Sequence, residues 1–111
     1  MPMLNLTCSQ HIPADVIKEL SVAIAETIGK PEQYVMVVTK QAELMMSGSA
    51  GDAAYAEVKS LGGLSRVVNH ELTMKICVLL NDHLGIPGDR IYITFQSLER
   101  DHWGWNGSMF E

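Results

Sequence analysis

The sequence is poor in most of the features that announce a function by themselves. It holds only 2 cysteines, Cys8 in a strand-like stretch and Cys77 in a helix-like one, with no C-x-x-C pair. Both read as small buried hydrophobes without disulfide or redox work. No run of Lys or Arg appears and the net charge is -5, which removes the electrostatic footprint of a nucleic-acid binder. No basic stretch followed by an apolar one opens the chain, and no apolar run approaches the length of a membrane span. The expected location is therefore cytoplasmic, with no membrane partner. His11, His70, His83 and His102 share no metal-ligand spacing and no acidic cluster completes one, so no metal is expected. P-loop, G-x-S-x-G and dinucleotide-binding fingerprints are missing as well, and no cofactor is implied.

What is present is a chain of 111 residues, read as one domain over 1–111. That length buries roughly 60–70% of the unfolded-chain surface without a disulfide or structural metal. Apolar residues make up 47%, rich for a small domain, and part of that surface is expected between subunits.

From Pro2 to Cys8, Leu4, Leu6 and Cys8 alternate with Asn5 and Thr7, which predicts a strand with one packed face. The period then becomes helical. Pro13 suits a first helical position, Asp15 supplies negative charge to the first turn, and Ile17, Leu20, Ile24 and Ile28 share one face. Gly29 closes that helix and Pro31 blocks its resumption. Tyr34 to Thr39 is an almost unbroken apolar run, as expected for a strand covered on both faces. Ser47-Gly48-Ser49-Ala50-Gly51, preceded by Leu44-Met45-Met46, reads as a loop linking two halves. Ala54, Ala56 and Val58 then predict a third strand ending at Leu61-Gly62-Gly63. Val68, Leu72, Ile76, Leu79 and Leu80 give a second helical stripe, ended by Gly85 and Pro87. Arg90 to Phe95 gives a fourth strand.

The halves look alike. Ile28-Gly29-Lys30-Pro31-Glu32-Gln33-Tyr34-Val35 matches Leu84-Gly85-Ile86-Pro87-Gly88-Asp89-Arg90-Ile91, about half the chain apart, and the same shift lays the first strand on the third. This predicts an internal βαβ repeat over roughly 1–40 and 53–97, with a C-terminal segment 98–111. The fold class is α/β (α+β): a four-stranded mixed sheet with both helices on one face and a pseudo-two-fold axis. The other sheet face is left bare. Ile91, Ile93 and Phe95 face the helices, which sends Tyr92 and Thr94 to that bare face, and a second subunit is its natural cover.

Pro2 is the residue with the sharpest chemical meaning. If Met1 is removed, as a small second residue usually permits, Pro2 ends the chain as a secondary amine at the edge of an apolar strand. Desolvation there disfavours its protonated form and lowers its pKa, and proton abstraction needs a base poised near neutrality. The ordinary alternative is a proline that merely starts an edge strand. Lys30 stands just past a helix C-terminus, where the dipole alone explains a cation; its functional alternative is an anchor for a substrate carboxylate. Tyr92, Phe95, Trp103, Trp105 and Phe110 cluster late in the chain, as core and subunit packing or as pocket walls.

Five pieces in order, Met1-Pro2-Met3, Gly29-Lys30-Pro31 with Gln33-Tyr34, Ser60-Leu61-Gly62-Gly63, Asp89-Arg90-Ile91-Tyr92-Ile93 and Gly104-Trp105-Asn106-Gly107-Ser108-Met109-Phe110, together resemble the macrophage migration inhibitory factor family of the tautomerase superfamily. The resemblance covers nearly the whole chain. It implies a homotrimer with sheets inside, helices outside and three active sites between neighbouring subunits. Within such a site it implies Pro2 as catalytic base, Lys30 on the substrate carboxylate and the Leu61 backbone N–H as a substrate donor. Tyr92 would enter from the adjacent subunit, and Met3, Tyr34, Trp105 and Phe110 would form apolar walls. Thr94 stands where animal members supply an asparagine from the neighbour, and Trp103 where they carry a small aliphatic at the pocket mouth. Ala53 and Ala56 replace a C-x-x-C found in some members, and the segment before the first helix is a few residues shorter.

The activity implied is cofactor-free keto–enol tautomerisation of a small aromatic α-keto acid such as phenylpyruvate, with dopachrome isomerisation as a related reaction. The alternative is a cytokine-like, receptor-binding protein with a secondary tautomerase pocket. A dehalogenase or hydrating decarboxylase of the same superfamily ranks below both. It needs a protonated proline and extra arginines, and Arg66, Arg90 and Arg100 match no such motif.

Overall fold

A computed structural model describes residues 1–110. Strand β1 (Pro2–Cys8) buries Pro2, Leu4, Leu6 and Cys8 and leaves Met3, Asn5 and Thr7 on its other face. A proline at the first strand position withdraws no N–H that the ladder needs. Helix α1 (Ala14–Ile28) follows, with Pro13 as its N-cap at φ -64°, ψ 154°, one residue outside the first helical position that the sequence suggests. The Pro13 carbonyl accepts from the N–H groups of Val16 and Ile17, each at 3.1 Å. The buried stripe runs in i, i+4 steps through Val16, Leu20, Ile24 and Ile28. Ile17, expected in that stripe, is only partly buried against it.

Gly29 ends α1 in the left-handed conformation, φ 80°, which glycine adopts without strain. Glu32–Tyr34 then form a 3-10 turn, so β2 (Met36–Gln41) starts later than the apolar run from Tyr34 predicts. The expectation that this strand is covered on both faces is also corrected. The strand is at the edge of the sheet, and Met36, on the face away from α1, is 59% exposed. The apolar run reflects one face packed on α1 and another left open in the single chain.

The linking segment is more ordered than a loop. It holds a small hairpin, β3 (Met45–Met46) and β4 (Ser49–Ala50), whose two turn residues Ser47 and Gly48 both have positive φ, the geometry of a two-residue hairpin turn. Arg90 clamps it: Nε donates to the Asp52 carbonyl at 2.8 Å, Nη1 to the Met46 carbonyl at 3.1 Å and Nη2 to the Ser49 carbonyl at 3.0 Å. Beyond it, β5 (Ala54–Ser60) buries Ala54, Ala56, Val58 and Ser60. Helix α2 (Arg66–Leu84) is capped by Ser65, whose hydroxyl accepts from the Val68 N–H at 3.2 Å. Leu72, Ile76 and Leu80 are its buried stripe, with Val68 and Leu79 packed partly against them. A 3-10 turn leads into β6 (Ile91–Ser97), and the chain closes with the hairpin β7 (Gly104–Trp105) and β8 (Ser108–Met109).

The strand order is β2-β1-β5-β6. Both outer pairs are parallel and the central β1–β5 pair is antiparallel, so two βαβ units meet across a pseudo-two-fold axis. One core, built from Leu4, Leu6, Leu20, Ile24, Leu72 and Ile76 among others, lies between the sheet and the two helices. The opposite sheet face is bare and carries three rows in register: Met36, Met3, Lys59 and Gln96; Val38, Asn5, Glu57 and Thr94; Lys40, Thr7, Tyr55 and Tyr92. Tyr92 is 67% exposed there. Among the described residues no helix is long and apolar enough to cross a membrane.

Candidate active site

Register fixes what gathers around the start of β1. Pro2 pairs with Ser60, the last residue of β5, and Ser60 with Ser97, the last of β6. Three strand ends therefore meet at one edge of the sheet. Ser60 is fully buried and donates its hydroxyl to the Gly62 carbonyl at 2.6 Å, which holds the turn Leu61–Gly62–Gly63 against that edge. Gly63 has φ 80°, and a Cβ on it would lie 2.7 Å from Ile28 Cγ2 and 3.7 Å from Lys30 Cε. The absent side chain is what lets the C-terminal end of α1 bring Lys30 to the same place.

The result is a cleft of two lobes that share Met1, Tyr34, Leu98 and Trp105 as their waist. One lobe, about 730 Å³, is bordered by Lys30, Leu61, Glu99, Arg100 and Phe110. The other, about 620 Å³, is bordered by Pro2, Met3, Met36, Lys59, His102 and Trp103. The β7–β8 hairpin supplies the roof. Asn106 and Gly107 turn it with φ 51° and 78°, the positive values an Asn-Gly turn requires. Trp105 then stacks on Phe110 with ring centroids 5.8 Å apart and planes 15° from parallel.

Met1 occupies the centre. Its carbonyl accepts the Leu61 N–H at 3.4 Å. Its terminal amine is held below its ordinary pKa by desolvation first and by the positive charge of Lys30 second. Burial pushes both the Cys8 and Cys77 thiols up, so neither is primed as a thiolate. Cys77 is only partly buried, less so than its helix-like setting implies. Among the described residues no three His, Cys, Asp or Glu side chains gather as metal ligands.

Of the residues singled out from sequence, Pro2, Met3, Lys30, Tyr34, Leu61, Trp103, Trp105 and Phe110 border this cleft. Tyr92 and Thr94 do not. Tyr92 stands near the far end of β6 and Thr94 at its middle, where the Thr94 and Tyr55 hydroxyls are 3.2 Å apart. From Ser97 beside Pro2 back to Tyr92 the strand runs about 17 Å, so within one chain Tyr92 cannot reach the cleft.

A family model described as macrophage migration inhibitory factor (MIF) matches residues 1–111. The chain belongs to the MIF family. A MIF homolog of Trichuris trichiura is 37% identical over 92% of this chain and 90% of its own. The MIF of Meriones unguiculatus is 36% identical over 99% of each. The MIF homologue of Prochlorococcus marinus, solved as a crystal structure, superposes with a TM-score of 0.92 at 39% identity, covering 98% of this chain and 99% of that one. The doubled βαβ sheet is thus a MIF fold from end to end.

Lys59, Arg100 and His102 also border the cleft and were not singled out. Lys59 reads in sequence as an outward polar residue of a strand, and only the pairing of Met3 with Lys59 brings it beside the chain start. Arg100 and His102 arrive on a 3-10 turn that has no periodicity to read.

Proposed function

We propose that this MIF-family chain is a cofactor-free keto–enol tautomerase of aromatic α-keto acids such as phenylpyruvate, with Pro2 as base after removal of Met1. Family membership supports an isomerase-type activity. The observation that carries the finer reading is where Met1 sits. Met1 borders the same lobe as Lys30, and its carbonyl accepts the Leu61 N–H, so its removal leaves an amine on Pro2 and a free backbone donor facing one cleft. Pro2 lies deeper than Met1, and desolvation there disfavours a protonated amine.

In the reaction the neutral Pro2 nitrogen takes a proton from the carbon between the carbonyl and the ring. The C–H pair becomes the enol double bond, and the carbonyl π pair moves onto oxygen. That oxygen then receives the proton, so substrate and product are isomers and nothing else is consumed. Lys30 and the Leu61 N–H hold the carboxylate and α-oxygen, which fixes the reacting carbon near the base. Tyr34, Trp105 and Phe110 cover the ring. The oxyanion partner is Tyr92 of a neighbouring subunit in a homotrimer packed through the bare sheet faces. That assembly also covers the exposed face of Tyr92 and Met36.

The test is a phenylpyruvate tautomerase assay on two preparations of known intact mass, one beginning at Pro2 and one retaining Met1. General base catalysis contributes typically about 10²–10⁴ in rate, and a Pro2 nitrogen locked in a tertiary amide forfeits it. Loss of that size in the Met1-bearing protein is the expected result. Equal rates in the two preparations overturn the proposal.

A further inference from the structure

The electrostatics of the cleft do not follow those of the molecule. The chain has 8 Lys and Arg against 13 Asp and Glu, yet Lys30, Lys59 and Arg100 border the cleft while Glu99 alone represents the acids. Lys18 is paired with Glu32 at 2.8 Å, and the Arg90 guanidinium is taken up by backbone carbonyls away from the cleft. Among the described residues Lys30, Lys59 and Arg100 form no ion pair. Glu57, two positions before Lys59 on the same face, accepts from Asn5 Nδ2 at 3.3 Å and does not border the cleft.

These cations stand at opposite ends. Lys30 and Arg100 border one lobe, Lys59 and His102 the other, and the waist of Tyr34, Leu98 and Trp105 between them is apolar. Lys59 is half-buried at the cleft border and among the described residues has no carboxylate partner of its own, so its ammonium is open to a charge-assisted contact with a bound anion. A single carboxylate at Lys30 leaves Lys59 without a substrate contact, whereas an anion at each end engages both cations.

We infer that the cleft takes a dianionic substrate: an α-keto acid whose aromatic portion ends in a second acidic group, held by Lys59 at the far end from Lys30. Lys59 is then the residue that sets substrate class, and the proton transfer at Pro2 is unchanged. This rests on the tautomerase reading above and adds the identity of the substrate tail. It also predicts steering, since a cationic cleft on an anionic protein raises the encounter rate of anions in a salt-dependent way.

Phenylpyruvate and 4-carboxyphenylpyruvate are compared on the Met1-free protein, with Lys59→Met and Lys59→Arg beside the wild type. The wild type should favour the 4-carboxy substrate in kcat/KM by about tenfold, within the range of coupling between close opposite charges. Lys59→Met should abolish that ratio, Lys59→Arg should keep most of it, and added salt should shrink it. A wild type without the preference, or a ratio that survives Lys59→Met, overturns the inference. Equal losses on both substrates do so too, because they make Lys59 a structural cation. If neither compound turns over, the tautomerase reading fails, and titration with unreactive 3-phenylpropanoate and its 4-carboxy analogue decides this inference separately. Tighter binding of the diacid that Lys59→Met removes supports it, and equal binding overturns it.

Discussion

Replacing Gly63 by alanine perturbs the fold and the site through one contact whose size can be worked out. The residue has φ 80°, a left-handed conformation that costs an L-residue roughly 1–2 kcal/mol. The new Cβ would also meet Ile28 Cγ2 at 2.7 Å and the Ile28 carbonyl at 3.2 Å. Ile28 is only 7% exposed and ends the buried stripe of α1, so it has little room to yield, and overpacking of this kind adds about 1–3 kcal/mol. The expected loss is about 2–5 kcal/mol, a large part of the roughly 5–15 kcal/mol available to such a domain. Gly62→Ala is the control. Its φ is 71° with nothing within 4 Å of the added Cβ, so it carries the conformational penalty alone, about 1–2 kcal/mol. Urea unfolding of both variants at one protein concentration, because association enters the measured stability, reads the difference. Coincident transitions for the two variants would refute the contact argument. Lys30 Cε lies 3.7 Å from the same point, an ordinary van der Waals contact, so a rise in KM for carboxylate substrates should come only through the shift of Ile28, two residues before Lys30.

Two further outcomes follow from the site. In the Met1-free protein the base is the Pro2 amine and its active form is neutral, so kcat/KM should fall as pH drops through the amine pKa; if desolvation and then Lys30 depress that amine as they do the Met1 amine, Lys30→Met should move the limb to higher pH. A limb that stays in place would remove Lys30 from the amine's surroundings. If Tyr92 serves a neighbour's cleft, inactive Pro2→Gly and Tyr92→Phe chains, unfolded together and reassembled, should regain about a quarter of the wild-type sites, because random mixing in a closed ring pairs an intact Pro2 with an intact Tyr92 at that frequency. No recovery above the separate variants would place both residues' work within one chain.

Much of the fold could be read in the sequence because punctuation and period agree there. Gly29 with Pro31, and Gly85 with Pro87, stop both helices where the structure stops them, and the alternation from Leu4 to Cys8 gives β1 its face. The errors fall where the pattern is short or shared. Tyr34 and Val35 are apolar enough to pass for strand, but the turn after Pro31 claims Tyr34. The β3–β4 and β7–β8 hairpins have strands too short for any period; their one signal was Ser47-Gly48 and Asn106-Gly107, dipeptides that accept positive φ. Pro2 and Lys30 could be reached from their own chemistry, and motif resemblance added Met3, Tyr34 and Leu61. Lys59 was reached by neither, because what brings it to the cleft is a pairing register between two strands, and register is decided by the whole sheet.

The Arg90 clamp has a consequence for how the molecule opens and closes. Three backbone carbonyls of the linking segment, those of Met46, Ser49 and Asp52, are held by one guanidinium from the turn that leads into β6. The segment between the repeats is therefore tied to both: Ser9 of the first repeat bonds Asp52 and Ala53, and Arg90 of the second holds the hairpin. Latched in this way, the linker does not fray as an independent unit, and its opening is tied to loss of β6 from the sheet. A connector that could have been the weakest stretch of the chain is made to share the cooperativity of the whole.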